Sequence, residues 1–317
     1  MKEKVERLSS KSGGAISFAE IAQQWLDRTC ATLKPMSRKR REVAIKALKL
    51  HFQTSVRTIA KSHIEIWAAK RSKQVAPRSF NMELETLALI PGYAAREGLI
   101  LDNPTTVVPH MKLPKAKIII PTKAQFATLI GQMRAKPFAA EAADFCELLG
   151  YSGCRLAEAA AMTWGDVNLD LNNFTVTGGE AGTKNLEART VPLFPPLERL
   201  LLTMRKSLPE TPRPEARIFG ILSAKKAMAT ACKKATLPHF THHSLRHFFC
   251  SNAIEAGADF KVIAGWLGHK DGGILVARTY GHLRDEHSTM MAQRMTFDLA
   301  KPDNEPANVV RMATATA

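Results

Sequence analysis

Arginine, histidine and a single tyrosine offer the clearest chemistry in this chain. Arg155 lies in Gly153-Cys154-Arg155-Leu156-Ala157-Glu158, at a helix junction broken by glycine, and Arg246 lies between histidines in His243-Ser244-Leu245-Arg246-His247. Two guanidinium forks converging on one phosphate form a bidentate clamp. Such a clamp neutralises the charge that builds on the non-bridging oxygens as a phosphoryl transition state forms. Either arginine alone reads better as a surface or salt-bridged residue. Of the three tyrosines, Tyr93 and Tyr151 sit in apolar helical contexts and read as core or boundary residues, whereas Tyr280 stands in Arg278-Thr279-Tyr280-Gly281-His282. A phenol among basic groups and beside a glycine can act as a nucleophile once phosphate is held nearby.

Other constellations weigh less. Seven of the ten histidines fall in the last eighty residues, which invites a metal reading. His243 and His247 are four apart, as in the zinc-binding H-E-x-x-H helix, but Ser244 stands where the catalytic Glu would be, so no metal site is expected. A metal-dependent nuclease needs convergent carboxylates. Glu141, Asp144 and Glu147 are the nearest candidates, and on one helical face they read more simply as a solvated stripe. Glu158, three residues after Arg155, reads as a buttress for an arginine.

The elements that must position these groups are mostly helical. Ser17-Phe18-Ala19-Glu20 is a capping box that starts a helix running to about Leu33. Pro35 opens a basic helix to about Phe52, Ser62-His63-Ile64-Glu65 reads as a second box, and Pro77 opens a fourth helix, kinked at Pro91 and stopped at Gly98. Between Asn103 and Thr122 four prolines and Lys112, Lys115 and Lys117 resist helix and favour an extended basic connector. Thr122-Lys123-Ala124-Gln125 is a third box, followed by a helix from about 138 to 152. Strands are expected at 172–177, 178–184 and 189–193, then helices at 196–206, 223–235, 244–256, 260–267 and 286–297. The expected organisation is a leader (1–16), a helical domain (17–102), a linker (103–121), a mixed and mostly α domain with a small three-stranded antiparallel sheet (122–300), and a disordered tail (301–317).

Composition narrows the partners. The 317 residues carry a formal net charge of +16 with 45% hydrophobic residues, enough for packed cores and incompatible with a disordered or collagen-like chain. Residues 1–120 hold 22 Lys+Arg against 10 Asp+Glu, densest around Arg38, Lys39, Arg40, Arg41 and Lys46. That surplus reads as a footprint for a polyanion, most simply nucleic acid. A membrane surface fits less well, because the helix lacks a strong apolar face opposite its charges. Five scattered cysteines without a C-x-x-C pair read as core residues in a reducing compartment. With no apolar leader and no membrane-length apolar run, a soluble cytoplasmic protein is expected.

Six motifs in order now make a specific resemblance: Ser152-Gly153-Cys154-Arg155-Leu156-Ala157-Glu158, Trp164-Gly165-Asp166-Val167, Thr183-Lys184, His243-Ser244-Leu245-Arg246-His247, Leu267-Gly268-His269 and Tyr280-Gly281-His282. Together they resemble the tyrosine recombinase (phage integrase) family over residues 17 to about 297. The resemblance implies a helical core-binding (SAM-like) domain and a catalytic domain that clamp double-stranded DNA. It implies attack by Tyr280 on a phosphodiester to give a 3'-phosphotyrosyl enzyme and a free 5'-hydroxyl, without metal or nucleotide cofactor. Arg155 and Arg246 then clamp the scissile phosphate. Lys184 matches the family's general acid, His243 the histidine that assists proton transfer, and His269 the position that hydrogen-bonds the phosphate. His242, His247 and His282 are expected to be structural or to contact DNA. A tetramer on DNA, acting at the nucleoid, is implied, and accessory DNA-bending or directionality proteins are compatible with it.

Two features depart from the family pattern. The interval from His269 to Tyr280 is longer than usual, with the excess at Asp271-Gly272-Gly273, where glycines ease an insertion; it bears on whether Tyr280 is delivered in cis or to a neighbour. The segment before Ser17 is too short for the separate arm-binding domain of some integrases, so arm sites are not expected unless Lys2, Lys4, Arg7 and Lys11 read them. The rivals are a type IB topoisomerase, which uses a similar residue set to swivel DNA, and a catalytically inactive DNA-binding protein of the same fold. The segment from Asp285 to Ala300, read as a helix able to pack on another protomer, favours the recombinase.

Overall fold

A computed structural model describes residues 16–29, 31–114, 118–178 and 187–280. The chain divides into two compact units, residues 1–116 and 117–317.

Helices α1 (Phe18–Thr29), α2 (Pro35–Lys49), α3 (Lys61–Arg71) and α4 (Pro77–Arg96) build the first unit. Their apolar positions recur at helical spacing and close a core around Phe18, Ile21, Leu48, Trp67, Phe80 and Leu87. The rings of Phe18, Phe52, Trp67 and Phe80 follow one another at 5.3, 6.1 and 5.5 Å. Ser17 and Glu20 form the expected reciprocal cap. The cap of α3 lies elsewhere: the Ala60 N–H donates to Nδ1 of His63 at 3.1 Å, so a histidine does the work expected of Glu65. Helix α4 runs through Pro91 and ends in a Schellman turn, with Gly98 at φ +72° and the Leu99 N–H donating to the Ala94 carbonyl. The expected extended connector is in part docked: a short 3-10 turn spans Pro104–Val107, and the Asn81 side chain bonds both backbone groups of Met111.

The second unit holds α5 (Lys123–Arg134), α6 (Ala140–Ser152), α7 (Leu156–Ala161), β1 (Val167–Asn168), β2 (Asn173–Val176), β3 (Arg189–Pro192), α8 (Pro195–Ser207), α9 (Lys225–Lys234), α10 (His242–Glu255), α11 (Phe260–Leu267) and α12 (Ile274–Tyr280). Helix α6 is central: Phe145, Cys146, Leu148 and Leu149 are fully buried, and α10 packs along it. The sheet is antiparallel in the order β1-β2-β3, with Phe174 opposite both Val167 and Val191 and Val176 opposite Arg189. Its first strand is Val167–Asn168, too short to announce itself by alternation. Of the strand expected at 178–184, residues 179–184 lie outside the described residues, as does the helix expected at 286–297. Thr122 and Gln125 cap α5 reciprocally, as expected.

Glu141, Asp144 and Glu147 are not the solvated stripe expected of them. Asp144 and Glu147 both pair with Arg134, and Glu141 accepts the Gly220 N–H at 2.6 Å. Cys146, Cys154, Cys232 and Cys250 are all buried thiols.

Candidate phosphate-binding site

Two helix ends and two helix starts build the site. Helix α6 stops at Gly153, whose φ of +65° is the left-handed cap conformation. A Cβ at Gly153 would lie 2.4 Å from the Phe249 ring and 2.9 Å from Leu267, so only glycine turns the chain here. Two residues on, Arg155 occupies the N-cap position of α7, and its own N–H donates to Glu158 at 2.9 Å. The far side is the end of α11, a Schellman turn in which Gly268 has φ +67° and the His269 N–H donates to the Ala264 carbonyl. That turn projects His269 back over the first turns of α10, which Thr241 and Ser244 cap and which carry His243 and Arg246.

Arg246 is 5% exposed, and the groups that hold it are neutral acceptors. Its Nη1 donates to the Gly153 carbonyl at 2.6 Å, and its Nη2 to the Leu267 carbonyl at 2.8 Å and towards His269 Nε2 at 3.0 Å. These carbonyls belong to the ends of α6 and α11, where helices leave acceptors unused and carry partial negative charge. Burial first, and then the charge of Arg155, lowers the Arg246 pKa to about 10, so it remains a cation at neutral pH. Since a guanidinium only donates, His269 accepts through Nε2 and keeps its proton on Nδ1, a buried atom with no partner among the described residues. Burial, with Arg246 and Arg155 nearby, lowers the His269 pKa to about 4.

Arg155 is held differently. Its Nη1 donates to Glu158 Oε1 at 2.8 Å, and its Nη2 reaches the Gly268 carbonyl at 3.5 Å. Glu158 is buried and also takes the fork of Arg189, at 2.8 and 3.3 Å. Burial alone would raise the pKa of this carboxyl, but hydrogen bonds from Arg189 and Arg155 outweigh it and hold it at about 2. Glu158 therefore buttresses two arginines where one was expected. Arg189 was missed as a site residue, although the alternation Arg189, Val191, Leu193 places it on the buried face of β3.

Among the histidines, the rings of His243 and His247 meet edge to face at 4.4 Å. Burial lowers both pKa values, that of His247 to about 4. His242 turns away, its Nε2 accepting the Ala224 N–H at 3.0 Å, a structural role. Tyr280 is the last residue of α12, a helix seated on α11 through buried Val276. The Asp271-Gly272-Gly273 insertion starts that helix: the Asp271 carboxylate accepts the Gly273 and Leu275 N–H groups. Arg155, His243, Arg246 and His269 thus cluster around the ends of α6 and α11. Lys184, Lys115, Lys117 and the Tyr280 side chain lie outside the described residues. Of the basic surface in the first unit, Lys39, Arg40, Lys46 and Lys112 are exposed. Arg38 instead pairs with Glu42 and Asp27, and Arg41 donates to Thr86 at 2.9 Å.

The model of the phage integrase family matches residues 121–287, more than half the chain. This chain belongs to the phage integrase family, the tyrosine recombinases. Curated members resemble this recombinase at modest identity. Tyrosine recombinase XerD of Lacticaseibacillus casei is 27% identical over 247 residues, 71% of this chain and 78% of that protein. Tyrosine recombinase XerC of Xanthomonas campestris pv. campestris (strain B100) is 24% identical over 241 residues, 74% of this chain and 71% of that protein. Among solved structures, a lambda integrase dimer bound to a COC' core site aligns with TM-score 0.72 at 16% identity, covering 96% of this chain and 85% of that one. The Tn1549 transposon integrase with a circular intermediate DNA aligns with TM-score 0.70 at 16% identity, covering 88% of this chain and all of that one. At such identities the structural matches establish the fold, mainly helical with one small antiparallel sheet.

Proposed function

We propose that this tyrosine recombinase cuts and rejoins duplex DNA at a specific site through a 3'-phosphotyrosyl intermediate. The observation that carries the reading is the neutral setting of Arg246, a buried cation held by main-chain carbonyls and a histidine. A phosphodiester supplies the anion that this arrangement lacks. Arg155, anchored at its rear by Glu158, and Arg246 take the non-bridging oxygens, and His269, held against Arg246, hydrogen-bonds the phosphate. The Tyr280 oxygen attacks phosphorus, His243 assists removal of the phenolic proton, and Lys184 protonates the departing 5'-oxygen, since an alkoxide leaves poorly. Reversal, with a 5'-hydroxyl attacking the phosphotyrosine, reseals the strand, so no free energy source is consumed.

Duplex contacts by the exposed Lys39, Arg40, Lys46 and Lys112, with Lys115 and Lys117, supply affinity, while Arg38 and Arg41 are engaged within their own unit. Assembly follows the similar lambda integrase, seen as a tetramer bound to a Holliday junction, and we extend that tetramer to this chain, acting on DNA in the cytoplasm. No helix among the described residues is long and apolar enough to cross a membrane.

Covalent trapping tests the reading. Nicked duplexes carrying a site selected from a random pool by the wild-type protein are expected to give a 3'-linked adduct on a denaturing gel. Tyr280→Phe is expected to bind the same DNA and give none. Tight binding without adduct from the wild type would mean a DNA-binding protein of this fold.

A further inference from the structure

Arg189 enters the site from the sheet, while the other arginines come from helix ends. Its pairing opposite Val176 puts it on the face of β3 that buries Val191, and its side chain is 11% exposed. All three of its donor nitrogens are used: Nη2 and Nη1 on the two oxygens of Glu158, and Nε on the Trp266 carbonyl at 2.8 Å. Glu158 holds Arg155, while Trp266 lies in the last turn of α11, next to the Leu267 carbonyl that takes Arg246 and three residues before His269. The end of α11 is also packed on the stem of Arg189, for a Cβ at Gly268 would lie 2.9 Å from its Nη1 and 3.2 Å from its Cδ. A single planar fork therefore spans both halves of the phosphate site without being one of its clamps.

Resting on the reading of Arg155 and Arg246 as phosphate clamps, we propose that Arg189 is a positioning residue for strand cleavage, locking Arg155 and the His269-bearing end of α11 into one geometry. The chemistry calls for arginine. A lysine retains the charge, but its single ammonium on a flexible stem does not reproduce a planar fork serving a carboxylate and a carbonyl together. Without the fork, Glu158 is left to Arg155 alone and α11 loses its tie to the sheet. A misplacement of about 1 Å at a reacting centre costs on the order of 100-fold in rate.

The test uses the full chain and the nicked duplex described above, with adduct rate and DNA affinity measured separately. Arg189→Lys and Arg189→Ala are expected to slow adduct formation on the order of 100-fold while leaving affinity nearly unchanged. Arg155→Ala combined with Arg189→Lys is expected to be slower than Arg155→Ala by much less than about 100-fold, because the part of the loss that passes through Arg155 is already taken and only the tie to α11 remains to be lost. Arg189→Lys guards against an alanine variant that fails to fold, and its melting curve is recorded alongside. Adduct rates near wild type in the variants, affinity falling in step with rate, or a double variant that multiplies the two losses would overturn the role of Arg189 alone. Absence of adduct from the wild type would overturn the recombination reading and this inference with it.

Discussion

Glu158 is where the site's electrostatics become measurable. Its folded pKa of about 2 lies below the ordinary value of 4.5, so between these the unfolded chain binds a proton that the native protein does not. The stability it contributes is complete above about pH 4.5 and is lost as pH falls towards 2. Glu158→Gln is expected to lower stability at neutral pH by about 3 to 5 kcal/mol, the usual cost of breaking a buried ion pair. Melting temperatures of wild type and variant should converge as pH falls from 4.5 to 2. A gap of constant size would show that the carboxylate does not hold its charge against the arginines. At this scale the sequence exposed the cations but not what holds each of them. Arg155 has its buttress three residues away, within reach of helix reasoning. Arg189 has partners 31 and 77 residues away, and a charged residue in a short strand reads as solvent-facing until the neighbouring alternation with Val191 and Leu193 is taken seriously.

Among the elements, caps do the positioning. The boxes at Ser17 and Thr122 were legible because both partners lie within four residues. The cap of α3 was misplaced by two residues because a histidine accepts as readily as a glutamate, and β1 escaped because two residues have no period. Gly153 and Gly268 were readable as helix ends, but the need for close approach was not, since Phe249, Leu267 and Arg189 arrive from distant segments. Gly153→Ala should therefore be damaging twice over. Its φ of +65° and the 2.4 Å approach to Phe249 predict a loss of about 1 to 3 kcal/mol from overpacking alone. Adduct formation should fall as well, because the Gly153 carbonyl seats Arg246. Gly131→Ala, in α5 with nothing within 4 Å of the added carbon, should instead be neutral or gain up to about 1 kcal/mol from helix propensity. Thermal unfolding of both variants, with the gel assay, separates the two.

For the whole molecule, charge is divided unevenly, and the surplus in residues 1–120 need not all face DNA. Arg38 and Arg41 are engaged within their own unit, whereas Lys39, Arg40 and Lys46 are exposed. Replacing those three with alanine should reduce the slope of log affinity against log salt by about 0.9 for each phosphate no longer neutralised, and Arg41→Ala should leave it nearly unchanged. Fluorescence anisotropy at several salt concentrations reads both; a slope equally sensitive to Arg41 would place that residue on DNA.

The buried thiols of the second unit have a practical consequence. Cys146, Cys154, Cys232 and Cys250 are each no more than 2% exposed, and burial also raises the pKa of Cys146 and Cys154, so little thiolate is available to a reagent. An alkylating agent meets these sulfurs only when the surrounding structure opens, which makes each one a built-in clock for local breathing. Cys146, Cys154 and Cys232 belong to the main core, Cys154 lying in the chain between the cap glycine and Arg155, whereas Cys250, in α10 four residues after Arg246, belongs to the smaller cluster packed with α11. Mass spectrometry of timed alkylation thus follows the main core and the cluster beside α11 separately, in the unaltered protein, with no probe introduced.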